Sequence, residues 1–292
     1  MLNKENKKGL YLLVPSIVLI LLIIIIPLAY VFNMSFYFAH LLRLSNRSFA
    51  GISNYLDLLT SQRWQNSLIT TTRWVVISVF LINFFGLCTA LILNCKFIGR
   101  SLVRGIVLIP WIVSTIVVAF LVKWLFHDLY GVVNYLLVIL GIIDNPIAWF
   151  THNRAFMMTA LTWIYKLFPF SAIILLAGLQ TIPDQLYEAA EIDGASSWQR
   201  FLHITLPGLK GVFIVTILLT TLWSFNAFEV IWLLTEGGPA NVTDNLSIFG
   251  YRTSFRTFDI GKGSANSVLM FIVTFIFSMI YMFLIFKDGE ES

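Results

Sequence analysis

Charged residues are scarce in this 292-residue chain and make up only 12% of it. Soluble domains carry about 25%. Since 58% of the residues are hydrophobic, too few polar residues remain to cover the surface of a soluble fold, and the composition predicts an integral membrane protein. Long clusters of lysine and arginine are also missing, so the net charge of +4 does not indicate nucleic-acid binding.

Cysteine and histidine are rare as well, with two and four residues respectively. Cys88 and Cys95 lie on one predicted helix, about 10 Å apart along its axis, which is too far for a disulfide between them. The cysteines and histidines do not have the spacing of a metal site. The sequence therefore predicts neither this disulfide nor a bound metal.

A phosphate-binding loop is missing too. The only Gly-Lys-Gly-Ser segment, residues 261–264, has Arg256 where such a loop requires a glycine. The predicted spans contain neither paired carboxylates nor a nucleophile beside a base. We therefore expect that the chain is not an enzyme, that it binds no cofactor, and that any ATP hydrolysis takes place on another protein.

Long apolar runs are what the chain does have, and six of them can cross a bilayer as helices. Pro110 is expected to interrupt the third span and Pro169 to kink the fourth. The apolar piece at residues 131–143 is too short to span and indicates an interfacial or re-entrant helix. The predicted fold is all-α and polytopic, with spans at residues 9–32, 67–94, 105–126, 155–180, 209–235 and 264–286.

Basic residues set the expected orientation. Six spans place both termini on one side of the membrane. The N-terminal Lys4, Lys7 and Lys8 fall on that side, and so does the loop at residues 95–104, which has three basic residues and no acid. Because short positive loops face the cytoplasm, both termini are predicted to be cytoplasmic, together with the polar segment at residues 181–207.

The segment at residues 181–207 carries the local signals of two short helices joined by a tight turn. Gly194 can end the first helix in a left-handed conformation. Ser196 and Gln199 stand in capping-box register for the second helix, which Pro207 is expected to end. From the residues alone this hairpin is either a passive connector at the membrane surface or a knob that fits another protein's groove.

The stretch EAAEIDGASSWQRFLHITLP, which begins at Glu188, resembles the signature of permease subunits of binding-protein-dependent ABC importers. In that signature Glu-Ala-Ala is followed by Asp-Gly-Ala and later by an apolar residue before x-Leu-Pro. Many members carry a further proline shortly after Leu-Pro, where this chain has GLKGV; the difference concerns the start of the fifth span. The matching residues are Glu188, Ala189, Ala190, Asp193, Gly194, Ala195, Ile204, Leu206 and Pro207.

A second resemblance narrows the class to carbohydrate uptake. Residues 233–255 are similar to the loop before the last span in that branch of the importers. Together with the layout of the spans, the two resemblances cover residues 9–287. The matches in the loop are Gly237, Gly238, Pro239, Thr243, Tyr251 and Phe255.

The resemblance implies a multi-pass permease of the cell membrane. It implies a cytoplasmic ATPase dimer that binds ATP and Mg²⁺, a second permease that is similar but different, and an extracytoplasmic binding protein that delivers a sugar. Closure of the ATPases would rock the two permeases and alternate access to a site between them. The implied coupling residues, in the hairpin, are Glu188, Ala189, Ala190, Asp193, Gly194 and Ala195.

The resemblance also implies a carbohydrate site at mid-membrane depth, where sugars would meet aromatic faces and hydrogen-bonding groups. Lys166 is too deep to reach the surface, and a charge at the centre of a span costs about 2.5–3.5 kcal/mol. We expect it to face the protein interior and to pair with Glu229, as a structural ion pair, or with solute. Each aromatic residue can instead pack against lipid or a neighbouring helix. The candidates are Trp111, Thr115, Trp163, Lys166, Phe170, Trp223, Ser224, Asn226 and Glu229.

Other functions remain open at this point. Within the importer class, the solute can be a glycerol phosphate or another organic solute, although a phosphate ester would need more basic residues than Lys166 alone. A self-sufficient secondary transporter is a different class, and it predicts internal repeats, of which none is clear. A membrane scaffold or receptor without transport is the third alternative.

Overall fold

The structure is a computed structural model that describes residues 13–289. The expected start of the first span at residue 9 and the lysines before it lie outside the described residues. The chain divides into two compact units. The first comprises Met1–Asn66 with Phe249–Phe275, and the second comprises Ser67–Ile248 with Ile276–Ser292.

Helices form nearly all of the regular structure in the described part. Two short strands, β1 (Tyr37–Phe38) and β2 (Ser48–Phe49), pair antiparallel between the first two helices. The helices are α1 (Leu13–Met34), α2 (Ser53–Thr60), α3 (Gln62–Asn94), α4 (Arg100–Ile112), α5 (Thr115–Leu125), α6 (Val132–Ile139), α7 (Ala155–Leu179), α8 (Asp184–Ile192), α9 (Ser197–Gly208), α10 (Lys210–Phe225), α11 (Glu229–Thr235), α12 (Leu246–Tyr251) and α13 (Ile260–Gly289).

Four of these helices, α1, α3, α7 and α13, are long and apolar enough to cross a membrane. Two bent pairs, α4 with α5 and α9 with α10, pass the same test when each pair is taken together, which gives up to six spans within residues 13–289. The predicted all-α, multi-span fold is therefore confirmed.

Pro110 and Pro169 both lie inside helices. Pro110 is inside α4, and the chain breaks at Val113 and Ser114, whose backbones are extended; α4 and α5 are bent there by 94°. α7 continues without a break through the buried Pro169. A proline removes one helical hydrogen bond, and packing inside a protein can offset that loss in a membrane helix.

The expected fifth span, residues 209–235, is divided between two helices. α10 ends at Phe225, and α11 begins only at Glu229. The helix before it also differs from the expectation, because α9 continues through Pro207 to Gly208, with a π-helical stretch at Phe201–Thr205. After α9, the chain bends by 65° into α10.

Buried amides hold the first unit together. Asn54 of α2 is fully buried and donates to the carbonyl oxygens of Ser35 and Tyr37, each at 2.9 Å. Trp64 of α3 donates its indole N–H to Asn266 of α13 at 2.9 Å. These bonds connect the strand pair to α2 and the start of α3 to α13.

The two larger apolar clusters described in the second unit both include residues of α7. One surrounds Trp74 of α3 and Ile231 of α11. The other surrounds Leu93 of α3, Leu179 of α7 and Leu209, which lies between α9 and α10. More than half of the residues of α7 are buried, so it is the central helix of this unit.

Gly178 allows α7 to pack closely against α10. A Cβ atom at this position would lie 2.8 Å from Val212 Cγ2 and 2.9 Å from Leu209 Cδ2. We expect Gly178→Val to lower the free energy of unfolding by about 1–3 kcal/mol, because overpacking forces neighbouring side chains from their rotamers. Thermal unfolding of the protein in detergent measures this loss of stability. The control is Gly211→Val, where nothing lies within 4 Å of the added Cβ; an equal loss in both variants would contradict the prediction.

Candidate functional site

Three aromatic rings from three helices meet in the second unit. Phe170 of α7 lies between Trp111 of α4 and Trp223 of α10, with ring centroids 5.6 Å and 4.7 Å away. The Phe170 and Trp223 rings are T-shaped, a favoured geometry for aromatic pairs. Trp111 is 40% exposed, so the cluster keeps an accessible ring face. The structure thus brings together three of the residues predicted for the carbohydrate site.

Trp163 turns toward a different neighbour. Its indole N–H donates to Ser224 Oγ at 3.1 Å, and Ser224 is fully buried. The Trp163 ring also packs near Trp74, with the centroids 6.5 Å apart. Trp163 and Ser224 therefore connect α7 to α10.

Lys166 of α7 lies at the break between α4 and α5. Its ammonium group donates to the carbonyl oxygen of Val113 at 2.7 Å and to that of Trp111 at 3.3 Å. Carbonyl groups at the end of a helix have no partner within the helix, and each one left unpaired in hydrocarbon costs several kcal/mol. Lys166 satisfies two such groups and thereby stabilises the broken helix.

The expected ion pair between Lys166 and Glu229 does not form among the described residues. Glu229 instead lies exposed in the first turn of α11, where a negative charge interacts favourably with the helix dipole. Asn226 is also exposed, and its amide N–H donates to the carbonyl oxygen of Leu222 at 2.9 Å. Thr115 is half-buried at the start of α5. Neither a hydrogen bond nor a ring contact joins Thr115, Asn226 or Glu229 to the three rings in the part of the chain that the structure describes.

A buried polar network was missed by the sequence reasoning. Asn83 of α3 donates to Thr220 Oγ1 of α10 at 3.1 Å and accepts from Ser171 Oγ of α7 at 3.1 Å. All three side chains are buried. Polar side chains that hydrogen-bond between helices are a common feature of membrane interiors, and the asparagine in the middle of an apolar run was the available signal.

The predicted hairpin is present as α8, a tight turn and α9. Gly194 ends α8 with φ +77. The N–H of Gly194 bonds to the carbonyl oxygen of Glu191 at 3.1 Å, and the N–H of Ala195 bonds to that of Ala190 at 2.8 Å. These two bonds are the Schellman motif. A residue with a Cβ atom would be strained at position 194.

The start of α9 confirms the capping box. Gln199 N–H donates to Ser196 Oγ at 3.3 Å, and Ser196 N–H donates to Gln199 Oε1 at 2.7 Å. An ion pair of 3.1 Å joins Arg200 of α9 to Glu191 of α8 across the turn. The turn is therefore fixed by local bonds on both sides.

The outer surface of the hairpin is exposed. Glu188, Ala189, Asp193 and Gly194 are exposed, and Ala190 and Ala195 are half-buried. Large apolar side chains flank them, with Ile192 87% and Trp198 64% exposed. A small groove of about 330 Å³ lies between the two helices. Exposed apolar patches of this kind mark interaction surfaces on proteins.

Comparisons with known proteins match nearly the whole chain. The family of binding-protein-dependent transport system inner membrane components matches residues 82–287. The trehalose/maltose transport system permease protein of Thermococcus litoralis is 38% identical over 280 residues, which cover 96% of this chain and 94% of that protein. The trehalose transport system permease protein of Mycobacterium tuberculosis is 32% identical over 281 residues, covering 95% and 89%.

Among solved structures, a chain of a bacterial ABC transporter involved in the import of the acidic polysaccharide alginate has the same fold. The TM-score is 0.85 at 23% identity, and the match covers 96% of both chains. At this level of identity the likeness establishes the fold.

The role of Lys166 at the helix break can be tested by stability. We expect Lys166→Met to lower the free energy of unfolding by about 1–3 kcal/mol, because it leaves the carbonyl groups of Trp111 and Val113 without a partner. Thermal unfolding of the protein in lipid nanodiscs measures the loss. The matched control is Lys123→Met, since Lys123 makes a single exposed bond of 3.4 Å to Leu233. If both variants unfold at the same temperature, Lys166 does not stabilise the break.

Proposed function

Because this chain belongs to the family of binding-protein-dependent transport system inner membrane components, we propose that it is a permease subunit of an ATP-driven ABC importer for a sugar or oligosaccharide. In this role it is a multi-pass protein of the cytoplasmic membrane with cytoplasmic termini. Family membership argues against a self-sufficient secondary transporter and against a scaffold without transport.

The observation that carries the solute class is the ring cluster of Trp111, Phe170 and Trp223. Aromatic faces beside hydrogen-bonding groups suit the alternating apolar and hydroxyl surfaces of a sugar, and ligand sites are mostly apolar with a few polar groups. The named substrates of the two relatives, trehalose and maltose, support the same class.

A glycerol phosphate is the second candidate within the importer class. It would need cationic groups free to bind a phosphate. Lys166 is engaged by two carbonyl oxygens, and the other charged candidate, Glu229, would repel an anion. The charges of the site therefore favour a neutral solute.

A second permease across the pathway accounts for the polar groups exposed at the break between α10 and α11. Asn226 and Glu229 lie there with exposed side chains. An ionised carboxylate in hydrocarbon is costly, and such residues usually face a protein interior or a water-filled cavity. We infer that this face meets a similar but different permease, with the solute passing between the two chains.

Energy reaches the chain through the hairpin in this proposal. Residues 181–207 lie in the cytoplasm and dock into one subunit of an ATPase dimer, which holds ATP and Mg²⁺. A solute-loaded binding protein docks on the opposite side of the membrane. Closure of the ATPases pulls the hairpins together, and the permeases alternate between outward and inward access.

The solute class can be tested with Phe170→Leu in the complex purified from its own host and placed in proteoliposomes. The variant keeps an apolar side chain but loses the ring face, and we expect uptake of radiolabelled disaccharide to fall about tenfold, equivalent to roughly 1.4 kcal/mol of stacking. Phe80→Leu is the control, because Phe80 is 66% exposed on α3. Uptake of glycerol 3-phosphate in place of any sugar would overturn the assignment.

The coupling role of the hairpin is tested by Gly194→Val. The left-handed backbone strains valine, and we expect ATP hydrolysis stimulated by the loaded binding protein to fall about 30-fold, the effect of losing an interface hot spot of about 2 kcal/mol. Gly194→Asn is the matched control, since asparagine tolerates this conformation. Glu188→Lys is expected to uncouple in the same way through charge reversal. Normal coupling in both Gly194→Val and Glu188→Lys would make the hairpin a passive connector.

A further inference from the structure

The short helix α6 lies between two elements that can cross the membrane. The α4–α5 pair ends at Leu125 before it, and α7 begins at Ala155 after it. The 25 residues of α7 span about 37 Å, which exceeds the thickness of the hydrocarbon core, and the hairpin follows the far end of α7. The loop that contains α6 is therefore at the membrane face opposite the hairpin.

A buried amide fastens α6 to the end of α5. Asn134 is 3% exposed, and its side chain donates to the carbonyl oxygens of Asp128 at 3.1 Å and Ile147 at 2.9 Å. Its amide oxygen accepts from the N–H of Ile147 at 3.2 Å and from the indole N–H of Trp149 at 2.9 Å. These bonds hold α6 at the end of α5 and fix which side of the helix faces the protein.

The opposite side of α6 is exposed and apolar. Tyr135, Leu136 and Ile139 recur at the spacing of one helix face, and each is at least 50% exposed. Residues 129–143 contain no charged side chain. A re-entrant helix is surrounded by protein, whereas the described residues cover α6 on one side only. The exposed side therefore has the character of an interfacial helix.

The chemistry of this face favours lipid over a protein partner. A protein that binds and leaves uses an interface about as polar as the rest of its surface, and the uncharged stretch offers such a partner no ion pair. Tryptophan and tyrosine concentrate at the level of the lipid headgroups. Trp124 in the last turn of α5, Tyr130 and Tyr135 are each more than half exposed. An apolar helix face with these aromatic residues, held at the end of a span, matches the bilayer interface.

We propose that α6 is an interfacial helix that lies in the plane of the membrane, with Tyr135, Leu136 and Ile139 inserted among the lipids. The apolar face of such a helix enters the boundary between headgroups and acyl chains by about 5–10 Å. Asn134 ties α6 both to the end of α5 and to the loop before α7. The inserted helix therefore anchors the end of the bent α4–α5 span at the membrane surface.

Site-specific photocrosslinking in the membranes of the host tests this contact, because the chain is then in its natural assembly. The photoreactive residue p-benzoylphenylalanine replaces Tyr135 or Ile139, and mass spectrometry identifies what it has bonded to. We expect lipid adducts to exceed protein adducts several-fold at both positions. The same residue in place of Phe120, which is 57% exposed on α5, is the lipid-facing reference. In place of Asn153, which is exposed in the loop before α7, it is expected to give no lipid adduct.

Each other outcome would overturn the proposal. Adducts to a second polypeptide at both positions would assign this face of α6 to a protein partner. Adducts within the chain would show that another part of the same chain covers the face. Absence of a stable adduct, as expected at Asn153, would place the face in water. Lipid adducts as frequent at Asn153 as at Ile139 would show that the reaction does not report a specific contact of α6.

Discussion

An unpaired backbone carbonyl group costs several kcal/mol in hydrocarbon. The candidate site depends on how this chain pairs the carbonyl groups at its helix break. α4 ends at Ile112 and the chain turns by 94° into α5. Lys166 reaches the turn from α7 and donates to two of the exposed carbonyl groups. A single long cationic side chain can serve both oxygens because its ammonium group has three donors. The lysine and the break therefore stabilise each other.

The ring cluster follows from this arrangement. Since Lys166 holds the end of α4 against α7, Trp111 and Phe170 are kept 5.6 Å apart, and Trp223 completes the row from α10. The buried bonds of Asn83 hold α3, α7 and α10 in register nearby. Lys166 is occupied by two backbone carbonyl groups. In the proposed role, the ring faces are therefore the recognition surface, and a bound solute is held mainly by stacking and hydrogen bonds.

The sequence predicted local features better than tertiary ones. The capping box at Ser196 and the turn at Gly194 were predicted correctly, because their bonds join residues at most five positions apart. The interruption of the third span was predicted at Pro110, whereas it lies at Val113, where a lysine 53 residues away binds the free carbonyl group. At Pro169, the buried surroundings keep α7 continuous. Residue type and position along the predicted spans identified the aromatic candidates. Which of them contact each other depends on how the helices pack, and the sequence alone does not give that packing.

Packed side chains connect the hairpin directly to α7 of the candidate site. Tyr187 of α8 bonds through its hydroxyl to Thr205 of α9 at 3.0 Å, and both helices rest on the apolar cluster that includes Leu179 and Leu209. Leu179 is the last residue of α7, the helix that carries Lys166 and Phe170. In the proposed mechanism, a displacement of the hairpin therefore moves α7 directly, because closely packed interiors are hard to compress. To transmit motion from a separate ATPase, both the hairpin and the central helix must be rigid. The local bonds of the turn make the hairpin rigid.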